Sequence, residues 1–191
     1  MLKKLKLDTF SFVLYKFFNS LFLGVSIGSV FTIYDSLDPS LFSAGGIFLA
    51  IATLIIANFY QKILNEYYFF RISLLVEIIV LLMVIGFLVF SYNIYTSLSI
   101  YIGYQFTFIF GSYLVRAETL IIKNEKTLTR VDSAKQFGYL AGMVFSYFFY
   151  KAMDLFPYLY DNKLKVYQIH YPLLIIELII IFFLIKSFKK A

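Results

Sequence analysis

The segment FFRISLLVEIIVLLMVIGFLVF, residues 69–90, holds only two ionisable side chains, Arg71 and Glu77, in an otherwise almost wholly apolar run. An α-helix rises about 1.5 Å per residue and the hydrocarbon core of a bilayer is about 30 Å thick, so a run of roughly 20 apolar residues matches one crossing. The run is continuously apolar rather than alternating, which argues against a barrel strand. Five further stretches read the same way, at 10–34, 39–64, 95–117, 133–153 and 171–188. The chain is therefore expected to be all-α: a polytopic bundle of six transmembrane helices forming a single domain over 1–191. Asp38-Pro39 places an N-cap carboxylate before a proline at the first helical position, and Asp132-Ser133 offers acceptors at the expected start of the fifth helix.

Composition agrees with lipid as the solvent. The chain is 61% hydrophobic and 15% charged, with a mean hydropathy of +0.83, outside the range of a soluble domain. Its formal charge of +6 is not gathered on one face as nucleic-acid binding requires; the Lys and Arg residues fall in short clusters between apolar runs, so no nucleic-acid partner is expected. With no Cys there is neither a disulfide framework nor a thiolate site. The basic start, Met1 to Lys6, is followed by too long an apolar run for a cleavable signal and reads as leading into a retained first helix.

Direction follows from the basic residues, which are held on the cytoplasmic side of a span. Lys3, Lys4, Lys6 and Lys16 lie at the amino end, Lys62 and Arg71 flank the second loop, Arg116, Lys123, Lys126, Arg130 and Lys135 flank the fourth, and Lys186, Lys189 and Lys190 close the chain. The opposite loops hold only Lys151, Lys163 and Lys165 of the 17. Both termini are thus expected in the cytoplasm of a cell whose inner membrane the protein spans. Asp35, Asp38, Asp154 and Asp161 fall outside, where Phe156-Pro157-Tyr158-Leu159-Tyr160 suits a headgroup-level aromatic belt.

Polar and small residues indicate which helix faces meet protein rather than lipid. At 100° per residue, Tyr101, Gln105, Ser112, Arg116 and Thr119 form one stripe on the fourth helix. Gln136, Tyr139, Ser146, Tyr147, Tyr150 and Asp154 form another on the fifth, while Gly138, Gly142 and Ala141 lie mainly on its other side, where a neighbour's backbone can approach closely. The second helix carries a small-residue seam through Ser43, Gly46, Ala50, Thr53, Ala57 and Gln61, and the first adds Tyr15, Asn19 and Ser26 beside Gly24 and Gly28. Each stripe reads either as helix packing or as the lining of a solute cavity; the candidate lining residues are Asn19, Tyr101, Gln105, Ser112, Gln136 and Tyr139.

Two carboxylates lie inside spans, where an unpaired charge costs roughly 3 kcal/mol near the centre. Counted from the expected helix ends, Glu77 sits about 10 Å from the cytoplasmic side and Glu177 about 9 Å from the outer side, which separates them by about 11 Å of depth and excludes a pair. Each reads as a proton or cation site, or as a neutral or locally bonded group, with Ser73 one turn before Glu77 as a local partner. Arg116 and Glu118 are candidates for a gating salt bridge to the loop bearing Lys62 and Arg71, or a solvated helix end. Lys16 is expected to extend to the headgroups. A lone His170 with Asp154 and Asp161 makes a poor metal site, so no metal and no cofactor are expected. Neither an intramembrane protease pattern, an HExxH motif nor a phosphate-cradling Gly-rich loop occurs, and no enzymatic activity is expected.

The layout resembles one half of a major facilitator superfamily transporter, through Gly24-Val25-Ser26-Ile27-Gly28, Asn58-Phe59-Tyr60-Gln61-Lys62 and Phe137-Gly138-Tyr139-Leu140-Ala141-Gly142. The resemblance implies that helices one, two, four and five line a cavity and that three and six stand outside. The family's Gly-x-x-x-Asp-Arg loop is reduced here to Asn58, Lys62 and Arg71, and its early fourth-helix arginine is replaced near Ile100 and Tyr101. Halves of such transporters are parallel repeats, so two copies can associate without inverting one. Three functions compete: a transport module for a small molecule, completed by a homodimer or a partner membrane subunit; a substrate-capturing subunit of an energy-coupling-factor vitamin transporter; and a non-transporting assembly or scaffold protein.

Overall fold

The computed structural model describes residues 5–156 and 161–190. Its elements are β1 (Leu5–Leu7), α1 (Thr9–Tyr34), α2 (Pro39–Asn58), α3 (Tyr60–Ile63), α4 (Glu66–Phe90), α5 (Ile94–Ile109), α6 (Gly111–Ile121), α7 (Glu125–Met153), α8 (Asn162–Ser187) and β2 (Phe188–Lys190). Of the residues singled out from the sequence, Lys3, Lys4, Pro157, Tyr158, Leu159 and Tyr160 lie outside the described ones.

Among the described residues, five helices are long and apolar enough to cross a membrane: α1, α2, α4, α5 with α6 as one rod over Ile94–Ile121, and α8. The exception is α7. It begins at Glu125, before the expected Ser133, because Asn124 caps it by accepting from Lys126 N at 2.9 Å. Its first turns carry Glu125, Lys126, Arg130, Asp132 and Lys135, which leaves Gln136–Tyr150 as its uncharged run. Asp132, expected at the cap, instead lies within the helix and pairs with Lys135 at 3.3 Å. The sixth long helix likewise starts earlier than expected: Asp161 caps α8 through Lys163 N at 2.9 Å, and the helix continues through Pro172. Chain reversal after α4 uses Ser91 at φ 56° and ψ −172°, a region that favours glycine.

Packing centres on α1, which lies against α7 and α8; α4 lies against α8 and α5, and α2 chiefly against α5. The α1–α7 contact is backbone on backbone. A Cβ at Gly24 would fall 2.9 Å from Met143 N, and one at Gly142 would fall 2.9 Å from Val25 N and 3.0 Å from the Gly24 Cα, so only glycine permits this approach. The small-residue seam of α2 behaves differently: α2 buries none of its residues, and nothing lies within 4 Å of a Cβ placed on Gly46.

The helix pairs map onto one another when the first three long helices are exchanged with the last three. The α1–α7 contact corresponds to α5–α2, α1–α8 to α5–α4, and α4–α8 to itself. In α4 and α8 the buried positions also coincide at an offset of 100 residues: Phe69 and Ile169, Ser73 and Leu173, Glu77 and Glu177, Val80 and Ile180, Val84 and Leu184, Phe87 and Ser187. The first and last described segments meet. β1 pairs antiparallel with β2, Leu7 opposite Phe188, and Lys189 Nζ reaches Asp8 at 3.0 Å while Phe188 packs on the rings of Phe12, Phe69 and Phe70.

Candidate functional site

The interior between α1, α4 and α8 is polar at its centre. Glu77 and Glu177 are 2% and 0% exposed, and their carboxyl groups lie within hydrogen-bonding reach of each other. This corrects the expected separation in depth. α4 and α8 are 25 and 26 residues long, about 38 Å each and longer than the hydrocarbon is thick, so depths counted from opposite expected ends misplace both residues. Counted from the end of the bundle where the termini meet, Glu77 lies about 16 Å along α4 from Glu66 and Glu177 about 15 Å along α8 from Ser187, the same level.

Around the pair, Tyr15 Oη and Asn19 Nδ2 on α1 both donate to Glu77 Oε1, at 2.8 and 3.0 Å. Neither oxygen of Glu177 has a donor among the described residues. Ser73 Oγ, fully buried, approaches the Tyr15 hydroxyl without completing a hydrogen bond. On α5, Tyr104 faces Glu177 and lies within reach of the Ser26 hydroxyl. Asn19 is thus committed to Glu77.

Nearer the termini a second buried cluster lies at the end of α6. Glu118 Oε2 takes Lys16 Nζ at 2.5 Å, its Oε1 takes Lys135 Nζ, and its side chain is only 4% exposed. Lys16, expected to extend to the headgroups, is instead buried against the rings of Phe12, Tyr15 and Phe69. Glu118 therefore joins α1, α6 and α7 rather than reaching the loop of Lys62 and Arg71. Lys62 and Arg71 are exposed, and Arg71 lies over Tyr67. Arg116, also exposed, meets that loop region through the ring of Tyr60 on α3 at 5.5 Å.

The fourth-helix stripe divides between packing and surface. Tyr101 is buried and its hydroxyl donates to the carbonyls of Leu41 and Phe42 on α2 at 3.2 and 3.4 Å. Gln105 is half-buried with an Oε1 that has no partner among the described residues. Beyond the break at Phe110, Ser112, Arg116 and Thr119 are exposed and line an open groove of about 580 Å³. Gln136 lines a separate groove of about 410 Å³ with Asp132 and Ser133, and Tyr139 is half-buried beside Gly24. The six candidate lining residues therefore do not share one cavity within a single chain, among the described residues.

His170 is buried in α8, stacked on Phe87 at 4.0 Å with Nδ1 2.6 Å from the Val166 carbonyl. Lys165 takes Asp154 at 2.5 Å. Sequence reasoning found every member of the central cluster except Tyr104, whose signal was a polar ring one position from Gln105 on a helix already read as inward-facing. Compared with known protein families, with characterised proteins and with solved structures, the chain matches none.

Proposed function

We propose that the chain is a membrane transport module of six transmembrane helices, with α7 as the fifth and both termini cytoplasmic in an inner membrane. It builds its solute path with a second six-helix unit, most simply another copy of itself. The reading is that of one half of a major facilitator superfamily transporter.

The observation that carries it is the division of the exposed surface. On α4 the exposed residues from Leu75 to Val89 are Leu75, Ile78, Leu82, Ile85 and Val89, and on α8 from Ile175 to Ile185 they are Ile175, Leu178, Phe182 and Ile185. Those faces suit lipid. Ser112 on α6 is exposed too, about 14 Å from the helix end nearest the termini, and Gln136 is exposed where the uncharged run of α7 begins. A polar group within a span belongs against water or protein rather than acyl chains, and α2, none of whose residues is fully buried within one chain, packs beside α6 there. A second unit set there encloses Ser112 and Gln136 in a cavity with Arg116 and Asp132 at its rim, whose uncharged part suits a neutral or amphipathic solute.

A non-transporting assembly protein is the second reading, favoured by Tyr101 and Asn19, whose hydrogen bonds are spent inside the bundle. One set of experiments separates the two. The cysteine-free chain accepts single cysteines: Lys126→Cys should be shielded from an impermeant maleimide in intact cells and Lys163→Cys labelled. Gln136→Cys should cross-link between copies, and Gln105→Ala should lower uptake by proteoliposomes in a solute screen. A cross-linked dimer with no uptake of any solute supports assembly, and external labelling at Lys126→Cys refutes the orientation.

A further inference from the structure

We infer that Glu77 and Glu177 form a proton-binding site, in which a single exchangeable proton resides on Glu177 and is donated to the Glu77 carboxylate. The site lies on α4 and α8, away from the exposed face just described, and stands whether or not that face binds a solute.

Two buried carboxyl groups in contact cannot both be ionised, since neither has water around it and like charges at that range repel. The hydrogen bonds decide which one is the acid. Glu77 Oε1 already accepts from Tyr15 and Asn19, and the Lys16 ammonium acts on the same carboxylate, so Glu77 is built as the anion. Glu177 has no donor on either oxygen among the described residues, and facing Glu77 it completes a hydrogen bond only by carrying a proton. Two unsatisfied oxygens on a fully buried side chain call for an explanation, and a proton on one of them turns it into a donor to Glu77 without any further space.

The charged and titratable groups around the pair are consistent with one resident proton. α1 presents Tyr15 and Lys16, α5 presents Tyr104, and α8 itself carries His170 toward the far end. The ammonium of Lys16 is shared with Glu118 of α6, which also holds Lys135 of α7. The nearest cation is therefore already committed and does not neutralise a second carboxylate. Beyond Tyr104, which faces Glu177, a void of about 20 Å³ lined by Ser26, Tyr104, His170 and Leu173 has room for one water. Loading or release of the proton moves H⁺ between water and the Glu177 carboxylate, with no other bond made or broken.

The test is infrared spectroscopy of the full chain in lipid nanodiscs, where a protonated carboxylic acid has a C=O stretch distinct from ionised carboxylate and shifted in D₂O. Wild type is expected to show this band at neutral pH with an area of one carboxyl per chain, and Glu177→Gln to abolish it. Glu66→Gln, half-buried at the start of α4, should leave it intact. A wild-type spectrum without the band at neutral pH overturns the proposal whatever the variants do. So does a band that survives in Glu77→Gln/Glu177→Gln. Loss of the wild-type band on replacing choline with Na⁺ or Li⁺ overturns it in favour of a monovalent metal cation.

Discussion

Gly142→Ala tests the packing that organises the bundle. The added Cβ would lie 2.9 Å from Val25 N and 3.0 Å from the Gly24 Cα, and nearer still to the Leu21 carbonyl, whereas ordinary contact begins at 3.4 Å. All three opposing groups are backbone, so no rotamer change relieves the clash, and α1 and α7 must part by at least about 0.5 Å along their seam. Overpacking of this kind costs about 1–3 kcal/mol. Gly46→Ala and Gly86→Ala are the controls: nothing lies within 4 Å of their added Cβ atoms, and helix propensity favours alanine by up to about 1 kcal/mol. Gly142→Ala gains the same propensity, so the two classes should differ by the overpacking cost alone, roughly 1–3 kcal/mol. The chain has neither Trp nor Cys, so unfolding is best followed by far-UV circular dichroism across an SDS titration in mixed micelles. Gly24→Ala combined with Gly142→Ala should cost less than the sum of the two, because the first displacement already makes room for the second. Equal midpoints for Gly142→Ala and Gly46→Ala would refute the close backbone contact.

Glu118→Ala leaves Lys16 buried among aromatic rings without its anion and should cost about 3–5 kcal/mol in the same titration; adding Lys16→Met should recover part of that loss, and a cost below about 1 kcal/mol for the single variant would show that water reaches Lys16. Ser91→Gly removes the strain of a left-handed φ at the end of α4 and should stabilise by about 1 kcal/mol, visible as a higher thermal midpoint; no gain would mean that the turn is held by its surroundings at no cost. Hydrogen bonds from Lys189 and the Ser11 amide hold the Asp8 carboxyl below its ordinary range. The stability this contributes is present above the unfolded carboxylate value of about 4 and is lost as pH falls through the lower folded value. The thermal advantage of wild type over Asp8→Asn should accordingly shrink below pH 4, and an advantage independent of pH would assign it to packing instead.

The features legible in advance were those of single helices. Gly138 and Gly142 marked a face for close approach because a missing side chain has the same consequence whatever the neighbour, and α1 occupies that face. The seam on α2 had the same signature yet leaves Ser43, Gly46, Ala50 and Ala57 exposed in one chain, since small residues permit an approach without compelling it. The helix limits at Asn124 and Asp161 lie outside the apolar runs, because a helix continues into polar sequence for as long as its backbone is satisfied.

From its sequence alone the chain is committed to being helical and to burying long apolar runs, because hydrocarbon-length segments with few charges have no other low-energy arrangement. Which polar groups meet was decided by the tertiary structure. Glu77 and Glu177, a hundred positions apart, and Lys16 and Glu118, on different helices, come together only once α1 wedges against α7 and α8 and so sets the level and rotation of every neighbour. A side chain's periodicity fixes its face on its own helix, but its partner depends on the axial offset between two rods, which no local pattern records.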